Sequence, residues 1–166
     1  MTERQIRIFG DPVLRSKTDP ITDPGDPRVR ALAEDLVDTV RLPGRAGVAA
    51  TQIGVGLRAF SVNIDGDISY VLNPVLEVDG EPELVDEGCL SVPGFYFPRR
   101  RHPWARVTGV DVDGNTVVLE GDGLMAQALQ HECDHLEGKL YIEGLEPETK
   151  REAMRAIRQA PWFQQP

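Results

Sequence analysis

The sequence predicts an α+β fold in which antiparallel β-sheets pack around a central helix, with one further helix near the N-terminal end and another at the C-terminal end. Three observations predict it. Helical signals mark three separate segments, short β-rich runs alternate with Asp-Gly turn signals suited to hairpins, and the middle helical segment is apolar on the faces that do not carry its two histidines. With 40% hydrophobic content and no internal repeat, the 166 residues are expected to form one domain, 1–166, with its own core.

The elements follow in order. Residues 1–27 are dense in Asp-Pro pairs, a composition that breaks both helix and ladder and favours an extended, turn-rich arm wrapping a later core. From Pro27 the pattern changes. Val29, Leu32, Leu36, Val37 and Val40 recur near helical spacing, Asp26 can cap the start, and Pro43-Gly44 closes this first helix. Strands are expected at 57–64, 69–72, 75–78, 105–112 and 116–120, divided by Asp65-Gly66, Asp79-Gly80 and Asp113-Gly114. A second helix should run over 123–137, with Leu124, Ala128, Leu129 and Leu136 on its apolar faces and Gly138 as its stop. A short strand over 139–142 is expected next, then a last helix opened by Pro147 and running to about 159, ahead of Pro161.

Charge and cysteine content narrow the setting. A formal net charge of −9 argues against broad attraction to nucleic acid, which needs accumulated Lys and Arg, although a local basic patch is still allowed. Neither the opening MTERQIRIFG nor any later stretch has the continuous apolar run of a membrane span, so no membrane association is expected. Cys89 and Cys133 cannot staple a domain of this size, and they suit a reducing compartment. A cytoplasmic protein is the expectation.

The chemistry concentrates in His131-Glu132-Cys133-Asp134-His135. Histidines four residues apart project from one helix face, where both imidazoles can hold one ion, and Glu132 lies near enough to reach a water beside it. This is HExxH logic, pointing to a metal-dependent hydrolase. Such a site needs a third protein ligand. His102 is the only other histidine, in a proline- and arginine-rich stretch, while Cys89 lies in Glu87-Gly88-Cys89-Leu90-Ser91, where a glycine permits a tight turn and a loop can present the thiolate. Cys89 is the stronger candidate, although a lone cysteine is usually a small buried hydrophobe. Cys133 sits two positions from each histidine and is expected to pack in the core. A third segment, Gly47-Val48-Ala49-Ala50-Thr51-Gln52, is rich in small residues that let backbone pass close to a ligand or helix, and Gln52 offers an amide donor.

Together and in this order, GVAATQ, EGCLS and HECDH resemble the signature motifs of the peptide deformylases, and the likeness extends from Asp11-Pro12-Val13-Leu14 to the end of HECDHLEG. The resemblance implies an enzyme that removes the formyl group from the N-terminal formyl-methionine of nascent bacterial polypeptides and releases formate. It implies one Fe2+ per chain, replaceable by Zn2+, Ni2+ or Co2+, held by Cys89, His131 and His135 with a fourth position left to water. Glu132 would act as general base and then general acid. The Gln52 side chain and the Leu90 backbone N–H would stabilise the oxyanion. Gly47 and Gly88 would line the peptide groove, and Val48 and Ala128 would build part of the methionine pocket.

Two segments depart from or extend this pattern. Arg45 stands where the family usually has a glycine, which could narrow the groove or change preference after methionine. In residues 94–101, Arg99 or a neighbour could pair with Asp134 or Glu87 in support of the ligands, or the stretch could be a solvated basic loop. On the last helix Arg151, Arg155 and Arg158 form a basic strip; in some family members such a helix docks on the ribosome, and simple pairing with Glu148 and Glu152 is the alternative. A monomer is expected. Two other readings compete: an HExxH zinc peptidase taking Glu137, Glu143 or Glu146 as third ligand, and a catalytically silent homologue that binds metal or ribosome.

Overall fold

The structure is a computed structural model that describes residues 3–163; residues 1–2 and 164–166, the outermost ends of the expected domain, lie outside the described residues. The first helix, α1 (Pro27–Val40), begins with Asp26 accepting a hydrogen bond from the Arg28 N–H and with Pro27 at a position where no N–H is needed. It is followed by β1 (Gly47–Ala49), a 3-10 turn (Ala50–Ile53), β2 (Ala59–Ile64), β3 (Asp67–Asp79), β4 (Glu83–Cys89), β5 (Val92–Arg101), β6 (Trp104–Val110), β7 (Thr116–Asp122), α2 (Gly123–Leu136) and α3 (Pro147–Arg158). Five strands form one antiparallel sheet in the order β1-β2-β3-β6-β7, and β4 and β5 form a separate two-stranded hairpin.

Alternation along the strands assigns each sheet face to a helix. Val48, Ala59 and Leu72 pack with Val29, Leu32, Leu36 and Val40 of α1. Their neighbours Ala49, Phe60 and Val71 pack with Ala126, Leu129, Cys133 and Leu136 of α2. A period of two in the strands therefore places α1 on one face and α2 on the other. Cys133 is in the core, as expected, and burial pushes its thiol up to about 12.

Three expectations change. The strands foreseen at 69–72 and 75–78 are one long strand, β3, kept continuous across Asn73-Pro74 by a bulge against β6. Pro74 lacks an N–H and is tolerated at such an irregularity. The strand foreseen at 139–142 is instead a 3-10 turn, Tyr141–Gly144, whose Tyr141 and Ile142 are buried against Val92, Ala153 and Ile157; a short apolar run fits either conformation until its partners are known. Residues 94–101, read as a loop, belong to β5, and Cys89 ends a strand rather than lying in a loop.

The arm wraps the core as expected. Its backbone N–H groups donate within two of the motif segments and just after the third: Arg7 to Gln52 O at 2.7 Å, Phe9 to Ser91 O at 2.8 Å and Thr18 to Leu136 O at 3.0 Å.

Candidate metal centre

Helix α2 is a buried platform for polar chemistry. His131, Glu132 and His135 are all buried within it, and the helix ends at Gly138, whose left-handed φ of +79° closes the last turn. The four-residue spacing places the Nε2 atoms of His131 and His135 3.2 Å apart. Cys89 enters from the end of β4, where the ladder with β5 shifts register between Gly88 and Cys89, and its Sγ lies 3.4 Å from His135 Nε2. A bulge of this kind re-aims a side chain.

Among the described residues this is the one cluster of His, Cys and acidic side chains whose donor atoms could share an ion, all within 4.8 Å of one another. The donors fit a metal. Nitrogens at about 2.0 Å and a sulfur at about 2.3 Å from a tetrahedral ion lie roughly 3.3–3.6 Å apart, close to the 3.2 Å and 3.4 Å that separate His135 Nε2 from His131 Nε2 and Cys89 Sγ. Burial holds His135 well below the usual imidazole range, so it stays neutral with a lone pair to give. Burial also disfavours charge on His131, but the Cys89 thiolate and Glu132 carboxylate outweigh it and draw positive charge to this ring. A divalent ion would supply that charge. The alternative acids do not converge: Glu137 pairs with Arg58 and Lys17, Glu146 pairs with Arg100, and Glu143 lies along a groove beside α3.

The supporting contacts fix orientation. Glu87 Oε2 lies 2.7 Å from His131 Nδ1, an arrangement that leaves Nε2 for the ion. Arg101 grips the same carboxylate twice, at 2.8 Å from Nε and 2.5 Å from Nη2, and reaches Asp134 Oδ2 at 2.8 Å through Nη1. Burial opposes ionisation of Glu87, yet the hydrogen bonds from Arg101 and His131 hold its carboxyl at about 2. Arg99 also reaches Asp134, at 3.4 Å, so Arg99 and Arg101 are both tied to α2 beside the candidate ligands, while Arg100 pairs with Glu146 at the surface.

Glu132 Oε2 lies 4.0 Å from His131 Nε2, and its Oε1 is buried without a hydrogen-bond partner in the protein. Burial pushes this carboxyl up to about 7. Gln52 is held by both ends of its amide: Oε1 accepts from the Ala49 N–H at 3.0 Å, and Nε2 donates to Ser91 Oγ at 3.2 Å while lying 3.6 Å from Cys89 Sγ.

A cleft of about 420 Å³ opens over these groups, and Gly47, Gln52, Gly88, Cys89, Leu90, Ala128, His131 and Glu132 are among its lining. Val48 is not among them. It is fully buried and packs beneath α1, because in β1 the side chain next to Gly47 points to the opposite sheet face. Sequence reasoning missed the Ser91 hydroxyl that orients Gln52 and the Tyr141 ring stacked 6.1 Å from His131. The buried Tyr141 beside an apolar run was the available signal for the second; nothing local announces the first.

The family model for polypeptide deformylase matches residues 3–151. The peptide deformylase of Acidothermus cellulolyticus is 46% identical over 162 residues, covering 98% of this chain and 89% of that protein. A crystal structure of a peptide deformylase from Legionella pneumophila matches with a TM-score of 0.88 and 32% identity, covering 99% of this chain and 100% of that one. One from Thermus thermophilus matches with a TM-score of 0.85 and 38% identity over 93% of both chains. With the motif geometry, these likenesses show that the chain belongs to the peptide deformylase family.

Proposed function

We propose that residues 1–166 form one catalytic domain, a metal-dependent peptide deformylase that removes the formyl group from N-terminal formyl-methionine and releases formate. The observation that carries this reading is the convergence of Cys89, His131 and His135 beside the buried Glu132 carboxylate in a peptide-sized cleft. We assign Fe2+, one per chain, as the native ion, with Zn2+, Ni2+ or Co2+ as substitutes, since a Cys-His-His set accepts each of them. When bound, the ion polarises the formyl oxygen and lowers the pKa of water towards neutrality.

The chain's own residues carry the rest. With its carboxyl near about 7, Glu132 exchanges protons readily at neutral pH: it takes the proton of the attacking water and returns it to the leaving nitrogen. Gln52 Nε2 and the Leu90 backbone N–H donate to the oxyanion, each such donor being typically worth about 2.7–4 kcal/mol. Glu87 and Arg101 keep His131 in the tautomer that binds. Gly47, Gly88 and Ala128 admit the peptide backbone and the methionine side chain.

The setting follows from the substrate. Nascent formylated chains arise in the bacterial cytoplasm, and among the described residues no helix is long and apolar enough to cross a membrane. The enzyme acts as a monomer, and α3 docks on the ribosome through Arg151, Arg155 and Arg158, all on its exposed face. Ribosome co-sedimentation unchanged by reversing these three charges would sink the docking.

Formate release from a formyl-Met peptide tests the site. Iron-loaded, anaerobically purified wild type releases formate; Glu132→Ala keeps its metal and loses roughly 10²–10⁴-fold in rate; Cys89→Ala loses metal and activity together. Undiminished release by either variant removes that residue from the mechanism, and no release by the wild type, loaded with iron or nickel, ends the deformylase reading.

A further inference from the structure

Within the cleft lining the carboxylates are Asp86, Glu87 and Glu132, and the sole arginine or lysine is Arg45. Glu87 is neutralised by Arg101. Arg45 is half-buried, and its Nη1 donates to Thr39 O at 3.0 Å, near the C-terminal end of α1. That contact uses one of five N–H donors in a planar fork shaped to take a carboxylate. Among the described residues no carboxylate lies within 4.0 Å of it, although the protein is acidic overall. Arg45 therefore lines the cleft while one of its N–H groups is tied to the end of α1.

Position decides what this cation meets. Gly47 lies against Glu132, and Arg45, two residues before it in the chain, lines the same cleft. Ala46 forms a bend between them, and two residues of chain span at most about 7 Å. Arg45 therefore stands beside substrate residues that follow the reacting methionine. We propose that Arg45 is a specificity-determining residue that selects formylated peptides carrying an aspartate or glutamate within the first few positions after methionine. This rests on the deformylase reading.

A competing role is purely structural, with Arg45 capping the last carbonyls of α1. Ratios separate the two. The experiment measures kcat/KM for formyl-Met-Asp-Asp-Ala and formyl-Met-Lys-Lys-Ala with wild type, Arg45→Gln, Arg45→Lys and Arg45→Glu. The wild type is expected to favour the acidic peptide about tenfold, with a ratio that shrinks as salt is raised. Arg45→Lys keeps the direction of the preference, Arg45→Gln brings the ratio near unity and Arg45→Glu inverts it. Equal rates on both peptides for an active wild type, or variants that scale both peptides by one factor, overturn the proposal and leave the deformylase reading standing. No formate from any peptide overturns both. Because the wild-type ratio is itself a readout, a variant that fails to fold does not shield the proposal.

Discussion

Gly47 shows how little room surrounds the Glu132 carboxylate. A Cβ on this residue would lie 2.5 Å from Glu132 Oε2 and 2.9 Å from Cδ, so an alanine must displace the carboxylate. Gly47→Ala is expected to lower kcat for formate release by about a hundredfold while metal content and thermal midpoint stay near wild type. A kcat within twofold of wild type would show that Glu132 can move without loss. The residues of the candidate metal centre were legible because such chemistry requires particular side chains at fixed spacing: His131, Glu132 and His135 on one helix, and Cys89 through its motif. Val48 was misplaced because a motif shows adjacency but not which face of a strand a side chain takes.

The hairpin of β4 and β5 is the element the sequence concealed. Pro93, Gly94 and Pro98 are poor strand formers, yet they lie in a ribbon that, among the described residues, has two strands and no further partner. Its register sets acidic Glu83 opposite Arg101, and Glu87, the buried acid of β4, is gripped by Arg101 of β5. This ribbon carries Cys89 and holds Glu87 against His131. Arg101→Met should leave the buried Glu87 carboxylate without its arginine, lowering unfolding stability by about 3–5 kcal/mol and metal affinity roughly 10–100-fold. Chemical denaturation and metal titration measure these, and wild-type values in both would remove Arg101 from the account. Acid sensitivity follows from the same pair. The Glu87 carboxyl drops from 4.5 to about 2 on folding, so its contribution is complete above pH 4.5 and disappears as pH falls towards 2. Metal-free wild type should therefore lose stability across that window more steeply than metal-free Glu87→Gln; parallel curves would contradict it.

At the scale of the molecule, the arm is the tie between segments distant in sequence. Backbone bonds from Arg7, Phe9 and Thr18 reach Gln52, Ser91 and Leu136, one in or beside each motif segment. Removing residues 1–10 should lower the thermal midpoint by several degrees, as losing about 1 kcal/mol does in a chain of this size, and speed metal loss to a chelator. An unchanged midpoint and loss rate would make the arm a passive cover. Composition and periodicity gave the α+β class and the three helices, since alternation and turn chemistry are local. They could not give the arm's docking points, because backbone hydrogen bonds carry no side-chain signature.

The most direct measurement is formate release from a formyl-Met peptide by anaerobically purified protein before chelation, after complete metal removal, and after Fe2+ is restored. Formate and a free methionine amine should appear in equal amounts, vanish with the metal and return with Fe2+. Undiminished release without metal, or cleavage at an internal peptide bond in place of the formyl group, would contradict the assignment.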